Sequence, residues 1–124
     1  MSLNDHRGTI LIVDDNANVR TLARLFLTDA GYSVMTASDG AAGLQSYDKH
    51  QANIVLLLTD VTMPNMNGFD LVDRLLAMNP QLPVLFMSGD VWSGHRGLDC
   101  IAKPFRGPQL IEKVSGLLNV PYAC

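Results

Sequence analysis

Acidic, hydroxyl and amine side chains follow four separate aliphatic runs of this chain. Asp14 and Asp15 end the run TILIVDD, Asp60 ends NIVLLLTD, Ser88 follows PVLFM, and Lys103 follows LDCIA. A carboxylate next to a buried apolar run is costly unless solvent or a partner meets it. The acids at these positions are therefore either caps of the next element or parts of a site.

These residue types together could carry out phosphoryl chemistry. Three carboxylates brought close repel one another unless a cation lies among them, and oxygen ligands suit a hard divalent ion such as Mg²⁺. Next to such an ion, Asp60 could attack phosphorus and form an acyl phosphate. Lys103 would then offer a positive charge and Ser88 a hydroxyl to the phosphoryl oxygens. Backbone N–H groups near Val61 and Gly89 would complete the anion site.

Each of these residues also has an ordinary structural explanation. Asp15 could stand at a strand–helix junction, and Asp60 could cap a turn. Ser88 with Gly89 could form a turn pair, and Lys103 could be a solvated loop lysine. Their joint occurrence argues against these explanations, because independent loop residues have no reason to converge on one end of one sheet.

Strands and helices are predicted to alternate along the chain. Short, β-branched apolar runs predict five strands, over residues 9–15, 32–37, 53–60, 83–89 and 98–102. Apolar residues at helical spacing predict four helices, over residues 16–31, 38–51, 68–80 and 108–119, the first with Asn16 as N-cap and Gly31 as its stop. This order implies right-handed crossovers and a parallel sheet covered on both faces. Ligands bind such sheets at the carboxyl ends of the strands, where the polar residues lie.

Composition predicts one compact cytoplasmic domain. The chain has 124 residues, of which 48% are hydrophobic, and a formal net charge of −3. It contains no basic run, so we expect no direct binding to nucleic acid. No apolar run reaches the roughly 18 residues of a membrane span, and the N-terminus lacks a signal-peptide core. Cys100 and Cys124 fit no metal or redox spacing and are predicted to be free thiols.

Four motifs together resemble the receiver domains of two-component response regulators. They are ILIVDDN, LLLTDVTMPNMNGFDL, PVLFMSG and AKPF, in the family's order over roughly residues 8 to 119. The resemblance implies an α/β fold with a doubly wound, flavodoxin-like five-stranded parallel sheet in the order 2-1-3-4-5. We accordingly predict a receiver domain at 8–120 and a C-terminal tail at 121–124. The N-terminal tail at 1–7 begins Met1-Ser2-Leu3 and could be a tag remnant. The sequences of these motifs also resemble those of receivers attached to hybrid sensor histidine kinases.

The resemblance assigns the phosphoacceptor and the metal ligands. Asp60 would accept a phosphoryl group from a histidine kinase or a histidine phosphotransfer protein. Asp14 and Asp15 would hold Mg²⁺, with Asp60 and the backbone carbonyl of Thr62 as further ligands. These assignments are what the family implies for the matching positions of this sequence.

The same resemblance assigns the residues that read the phosphate. Ser88 would be the switch hydroxyl that moves toward the aspartyl phosphate, and Lys103 would pair with it. The Lys103–Pro104 peptide bond would be cis. Thr62 and Asp90 match positions that tune how long the phosphate survives; Asp90 could either repel the phosphate or position a water.

The chain departs from the family's pattern at two places. Cys100 stands where the family usually has an aromatic switch residue, so a relay based on a ring is in doubt. Only 14 residues separate Ser88 from Lys103. We therefore predict that the fourth helix of the receiver fold is shortened to a single turn or missing, and that a mobile loop takes its place. In that loop Trp92 either fills the core or anchors a partner, and His95 is predicted to be solvated.

The sequence thus predicts a phosphoacceptor switch that changes conformation to control a downstream protein or a fused output. We expect a monomer or weak dimer, with no membrane contact and no enzymatic activity beyond Mg²⁺-dependent self-phosphorylation and dephosphorylation. An alternative is a receiver-like domain that signals by binding without phosphate cycling; Cys100 and the short loop favour it, and the intact acids oppose it. A phosphatase resembling the haloacid dehalogenases is disfavoured, because Thr62 stands where its general acid would be.

Overall fold

The computed structural model describes residues 8–90 and 92–118. Within these ranges the chain forms five strands and four helices. In chain order they are β1 (Thr9–Val13), α1 (Ala17–Asp29), β2 (Ser33–Ala37), α2 (Gly40–His50), β3 (Ile54–Asp60), α3 (Gly68–Met78), β4 (Val84–Ser88), β5 (Asp99–Ala102) and α4 (Gly107–Leu118). The predicted tails at 1–7 and 121–124, and the end of the predicted domain at 120, lie outside the described residues.

The strands form one parallel sheet in the order β2-β1-β3-β4-β5, which confirms the predicted topology. Its register aligns the carboxyl ends of the strands. Val13 pairs with Thr59, and Asp60 pairs with Met87 one strand further on. The residues that follow these strands therefore meet at one edge of the sheet.

Each face of the sheet carries its own hydrophobic core, because successive residues of a strand point to opposite faces. In β3, Leu56 and Leu58 belong to the core under α1 and α4, whereas Leu57 belongs to the core under α2 and α3. All three of these leucines are fully buried. Packing on both sides of β3 fixes the strand that ends in Asp60.

Side-chain caps begin three helices directly after the loops that follow the strands. Asn16 Oδ1 accepts hydrogen bonds from the N–H groups of Asn18 and Val19, as its predicted role as N-cap of α1 requires. Asp39 caps α2 and Asn67 caps α3 in the same way. Within the described ranges, no helix is long and apolar enough to cross a membrane.

No helix connects β4 to β5 in the described part of that connection, which confirms the predicted loss. Residues 92–98, here called the strap, lie on the path from β4 to β5 without helix or strand and contain one turn, at residues 95–98. Gly94, Arg96 and Gly97 have positive φ angles of 96°, 55° and 71°. Leu98 N–H closes one turn by donating to the His95 carbonyl at 2.9 Å. Arg96 adopts a conformation that is uncommon outside glycine, so contacts elsewhere must hold the strap in place.

Candidate functional site

Three aspartates meet at the carboxyl edge of the sheet. Asp14 and Asp15 follow β1 and Asp60 ends the neighbouring strand β3, and one carboxylate oxygen of each lies within 4.8 Å of the other two. Asp14 is fully buried and Asp60 is 8% exposed, while Asp15 faces solvent. The structure thus brings together the three acids that the sequence singled out.

Lys103 lies between two of these acids. Its Nζ is 2.8 Å from Asp14 Oδ2 and 3.2 Å from Asp60 Oδ1. The Lys103 N–H donates to the Ser88 carbonyl at 2.8 Å, and this hydrogen bond joins the residue after β5 to the last residue of β4. The peptide bond between Lys103 and Pro104 is cis. The lysine is therefore positioned at both its backbone and its side-chain end.

Asp14 is held by further contacts from its own loop and helix. Its Oδ1 accepts a hydrogen bond from the Asn16 N–H at 2.9 Å, and its carbonyl oxygen accepts one from Arg20 Nη1 at 2.8 Å. Sequence reasoning gave Arg20 no part in the site. Its position one turn into the helix after the Asp14–Asp15 pair is the signal that could have identified it.

Burial and the neighbouring charge of Asp14 disfavour ionisation of Asp60. Burial, followed by the negative charge of Asp14, raises the pKa of Asp60, and Lys103 opposes that rise. Burial alone would lower the pKa of Lys103, but its bonds and charge interactions with Asp14 and Asp60 outweigh burial and raise it. Among the described residues, the three clustered acids are thus faced by one ammonium group that remains protonated.

We expect Asp60→Asn to raise the free energy of unfolding by about 1 kcal/mol at pH 7 without metal, within the range found for stabilising changes at functional sites. The folded-state pKa of Asp60 lies above its unfolded value, so wild-type stability falls as pH rises through the folded-state pKa. The advantage of Asn should accordingly shrink as the pH falls toward 3.8, the ordinary pKa of this carboxyl. Lys103 keeps its shorter contact with Asp14. Urea unfolding across this pH range measures the effect.

Asp48→Asn is the matched control, because Asp48 is an exposed acid on α2. It should change stability by less than about 0.5 kcal/mol. An Asp60→Asn protein that is less stable than wild type at pH 7 would contradict the prediction.

The turn after Asp60 is folded tightly against the strand end. Gly68 N–H donates to the Val61 carbonyl at 2.7 Å, and Val61 N–H donates to the Met87 carbonyl at 3.3 Å. The Asp60 carbonyl lies so close to Gly68 that a Cβ would not fit there. Thr62 follows on this turn with an exposed side chain. The role of its carbonyl as a metal ligand stays a prediction.

Ser88 ends β4 and is 7% exposed. Its Oγ donates to the Asp90 carbonyl at 3.2 Å and accepts from the Asp90 N–H at 3.1 Å. The Asp90 residue itself is exposed. In this structure the predicted switch hydroxyl is thus engaged in a local turn with the next residue but one.

Cys100 and Trp92 both pack against the core under α2 and α3. Cys100 pairs in register with Phe86, and burial, followed by the charge of Asp99, raises the pKa of its thiol. The Trp92 ring lies 5.1 Å from the Phe86 ring and 6.1 Å from the Phe69 ring, centroid to centroid. The packed interpretation of Trp92 is therefore supported over the partner-facing one.

The prediction that His95 is solvated is wrong. Its ring is stacked on Phe69 at 4.5 Å, and its Nε2 lies 2.9 Å from Asp73 Oδ1. Arg96 Nε lies 2.7 Å from the same oxygen. Phe69 and Asp73 are four residues apart on α3 and so share a face of that helix. Sequence reasoning missed Asp73 and Arg96 because only the loss of the intervening helix brings the strap onto this face.

Comparison with known proteins matches the chain to one family. The family described as "Response regulator receiver domain" matches residues 10–115. In Vibrio campbellii, the "Autoinducer 1 sensor kinase/phosphatase LuxN" is 35% identical over 107 residues, which cover 86% of this chain and 12% of LuxN. In Bradyrhizobium sp., the "DNA-binding transcriptional regulator NtrC" is 34% identical over 121 residues, covering 92% of this chain and 25% of NtrC. The chain thus spans a quarter or less of these two relatives.

Solved structures give the same result. The "receiver domain from Hybrid Histidine Kinase CckA" superposes with a TM-score of 0.80 at 33% identity, covering 90% of this chain and 99% of that one. The chemotaxis protein CheY4 of Vibrio cholerae also gives a TM-score of 0.80, at 28% identity over 89% of this chain and 98% of CheY4. The family match includes every candidate site residue between Asp14 and Pro104.

Proposed function

Because this chain belongs to the response regulator receiver domain family, we propose that Asp60 accepts a phosphoryl group from a histidine kinase or a histidine phosphotransfer protein. Receiver domains are regulatory phosphoacceptor domains of two-component systems. One observation carries the assignment to Asp60. Its carboxylate ends the buried strand β3, 3.2 Å from the Lys103 ammonium and beside two more acids.

The transfer uses the carboxylate as a nucleophile. An Asp60 oxygen forms a bond to phosphorus while the bond from phosphorus to the donor atom breaks, and the donor leaves with that electron pair. The donor atom is a histidine nitrogen in a kinase or phosphotransfer protein. Lys103 Nζ is close enough to Asp60 Oδ1 to form an ion pair with an oxygen of a phosphoryl group bound there.

Asp14, Asp15 and Asp60 fit the Mg²⁺ ion that receiver domains bind at an acidic pocket. They present only hard oxygen ligands, with one oxygen of each within 4.8 Å of the others. A bound ion would neutralise charge on the phosphoryl oxygens. We assign the Thr62 carbonyl as a further ligand. The raised pKa of Asp60 shows that its surroundings disfavour the anion when no cation is added.

Phosphorylation would be read through Ser88. To reach a phosphoryl group, the Ser88 hydroxyl must leave its turn with Asp90. Thr62 and Asp90 flank the site and would set how long the phosphate survives. The change would control a downstream protein or a fused output domain. We place this module, residues 8–120, in the cytoplasm as a monomer or weak dimer.

The test is labelling with a small phosphodonor. Wild-type protein incubated with Mg²⁺ and acetyl phosphate should gain one phosphoryl group, which mass spectrometry of peptides after borohydride trapping should place on Asp60. Asp60→Asn should gain none, whereas the exposed-acid control Asp48→Asn should label like wild type. The proposal is wrong if folded wild type gains no adduct. It is also wrong if Asp60→Asn gains as much adduct as wild type. In the first case the alternative, signalling by binding without phosphate cycling, becomes the better account.

A further inference from the structure

One carboxylate oxygen of α3 makes two polar contacts with the strap. Asp73 Oδ1 lies 2.9 Å from His95 Nε2 and 2.7 Å from Arg96 Nε. The His95 ring is stacked on Phe69, one turn earlier on α3. These contacts come from consecutive strap residues, and Arg96 reaches Asp73 from a positive-φ conformation. Asp73 thus holds the turn of the strap by its polar contacts, beside the ring contacts of Phe69.

The other end of the strap adjoins the switch hydroxyl. Trp92 follows Asp90 by two positions, and Asp90 is the residue whose backbone engages both sides of the Ser88 hydroxyl. The Trp92 ring packs on Phe86, which precedes Ser88 by two residues in β4. A short path of contacts therefore joins the carboxylate on α3 to the turn at Ser88.

We propose that Asp73 is a positioning residue for the phosphoacceptor site: through His95 and Arg96 it holds the strap against α3 and keeps the Ser88 hydroxyl in its turn with Asp90. This inference rests on the proposed function of Asp60. When the Ser88 hydroxyl leaves its turn for a phosphoryl group, the Asp90 backbone loses both of its hydrogen bonds to that hydroxyl and must rearrange. By holding the strap against α3, the contacts at Asp73 resist this rearrangement. The strap thus opposes the phosphorylated conformation.

The contacts between Asp73 and the strap are weak enough to break and re-form. The side chains of Asp73 and Arg96 are 43% and 51% exposed, and exposed ion pairs are weak. The hydrogen bond from His95, followed by that from Arg96, lowers the pKa of Asp73, so the carboxylate stays charged at neutral pH. Coupling between two positions is reciprocal. If the phosphorylated conformation weakens the contacts between the strap and Asp73 by some factor, loss of those contacts favours the phosphorylated conformation by the same factor.

Two measurements on Asp73→Asn test the inference. Trp92 is the only tryptophan of the chain, so quenching of its fluorescence by acrylamide reports on the strap. Without ligand, Asp73→Asn should show more Trp92 quenching than wild type. Calorimetry with beryllofluoride and Mg²⁺, which mimic the phosphorylated state, should give a Kd about fivefold lower in Asp73→Asn, the low end of typical couplings. A purely structural defect would weaken or leave unchanged this binding, and the control Asp48→Asn should match wild type in both measurements.

The outcomes separate this inference from the proposed function. If wild type binds beryllofluoride and Asp73→Asn binds it with the same or lower affinity, the inference is wrong and the proposed function stands. Unchanged Trp92 quenching in Asp73→Asn also overturns it, because the strap is then not held by Asp73. A folded wild type that binds no beryllofluoride overturns the proposed function, and the inference with it.

Discussion

Gly68→Ala is expected to lower the free energy of unfolding by about 3 kcal/mol, at the upper end for overpacking a tightly packed position. A Cβ on Gly68 would collide with the carbonyl oxygen of Asp60 and would lie 3.0 Å from the Val61 Cα. Both are backbone atoms, so no side-chain rotation can relieve the contact. The Gly68 hydrogen bond to the Val61 carbonyl at 2.7 Å holds the two segments together. The turn must therefore open to accept the methyl group.

The same substitution should slow labelling of Asp60 by acetyl phosphate about 100-fold, the effect expected when a reacting group is misplaced by about 1 Å. The displaced atom is the carbonyl of the phosphoacceptor itself, so the carboxylate would move relative to Asp14 and Lys103. Urea unfolding gives the stability change, and the initial rate of adduct formation at saturating Mg²⁺ gives the functional change.

Gly116→Ala is the matched control for this glycine. Gly116 lies in α4, and a Cβ there would meet nothing within 4 Å. Alanine should stabilise the helix by roughly 0.5–1 kcal/mol and leave labelling unchanged. A Gly68→Ala protein as stable and as active as Gly116→Ala would refute the close approach of the turn to Asp60.

Lys103→Met should be the most damaging charge substitution, lowering the free energy of unfolding at pH 7 in metal-free buffer by about 2 kcal/mol. Removing one partner of a fully buried pair typically costs about 3–5 kcal/mol, and the expected value is smaller because the Lys103 side chain is 21% exposed. The variant leaves Asp14, which is fully buried, beside Asp60 without its nearest cation. Urea unfolding with and without Mg²⁺ measures the change.

The pH dependence of this effect has a defined sign. The pKa of Lys103 is raised in the folded protein, so its stabilisation is fully present below its ordinary value of 10.5 and is lost as pH rises through the folded-state value. At neutral pH the whole contribution should therefore be visible. Added Mg²⁺ should restore more stability to Lys103→Met than it adds to wild type, because the cation neutralises the same acids.

Lys113→Met is the control for Lys103→Met. Lys113 pairs with Asp99 at 3.1 Å, but the two side chains are 37% and 49% exposed. Such a surface pair contributes about 0–1 kcal/mol. If the two lysine variants lost equal free energies of unfolding, the repulsion between Asp14 and Asp60 would not depend on Lys103, and the prediction would be wrong.

The sheet and its acids could be predicted from the sequence because local patterns determine them. The aliphatic run before Asp60 is long enough to define a strand buried on both faces, and parallel order then places its end beside that of β1. The predicted bounds ran too far at Asp14 and Asp15, since β1 ends at Val13. Acids that continue an apolar run look like strand residues in sequence, although the Asp14 N–H still donates to the Ala37 carbonyl.

The strap could not be predicted beyond the loss of a helix. Its short length and glycines excluded several helical turns, but its path depends on Phe69 and Asp73, which lie more than 20 residues earlier on another element. The turn that engages the Ser88 hydroxyl is likewise a choice among side-chain orientations, which no residue spacing determines. Tertiary contacts decide both features.

The position of β5 at the edge of the sheet has a consequence for association between chains. An edge strand leaves one row of backbone donors and acceptors unpaired, which invites another strand to add to the sheet. β5 is only four residues long. It begins with the charged Asp99 and is followed closely by Pro104, whose nitrogen cannot donate a hydrogen bond. Within the described residues, the edge formed by β5 is therefore a poor template for the addition of another strand.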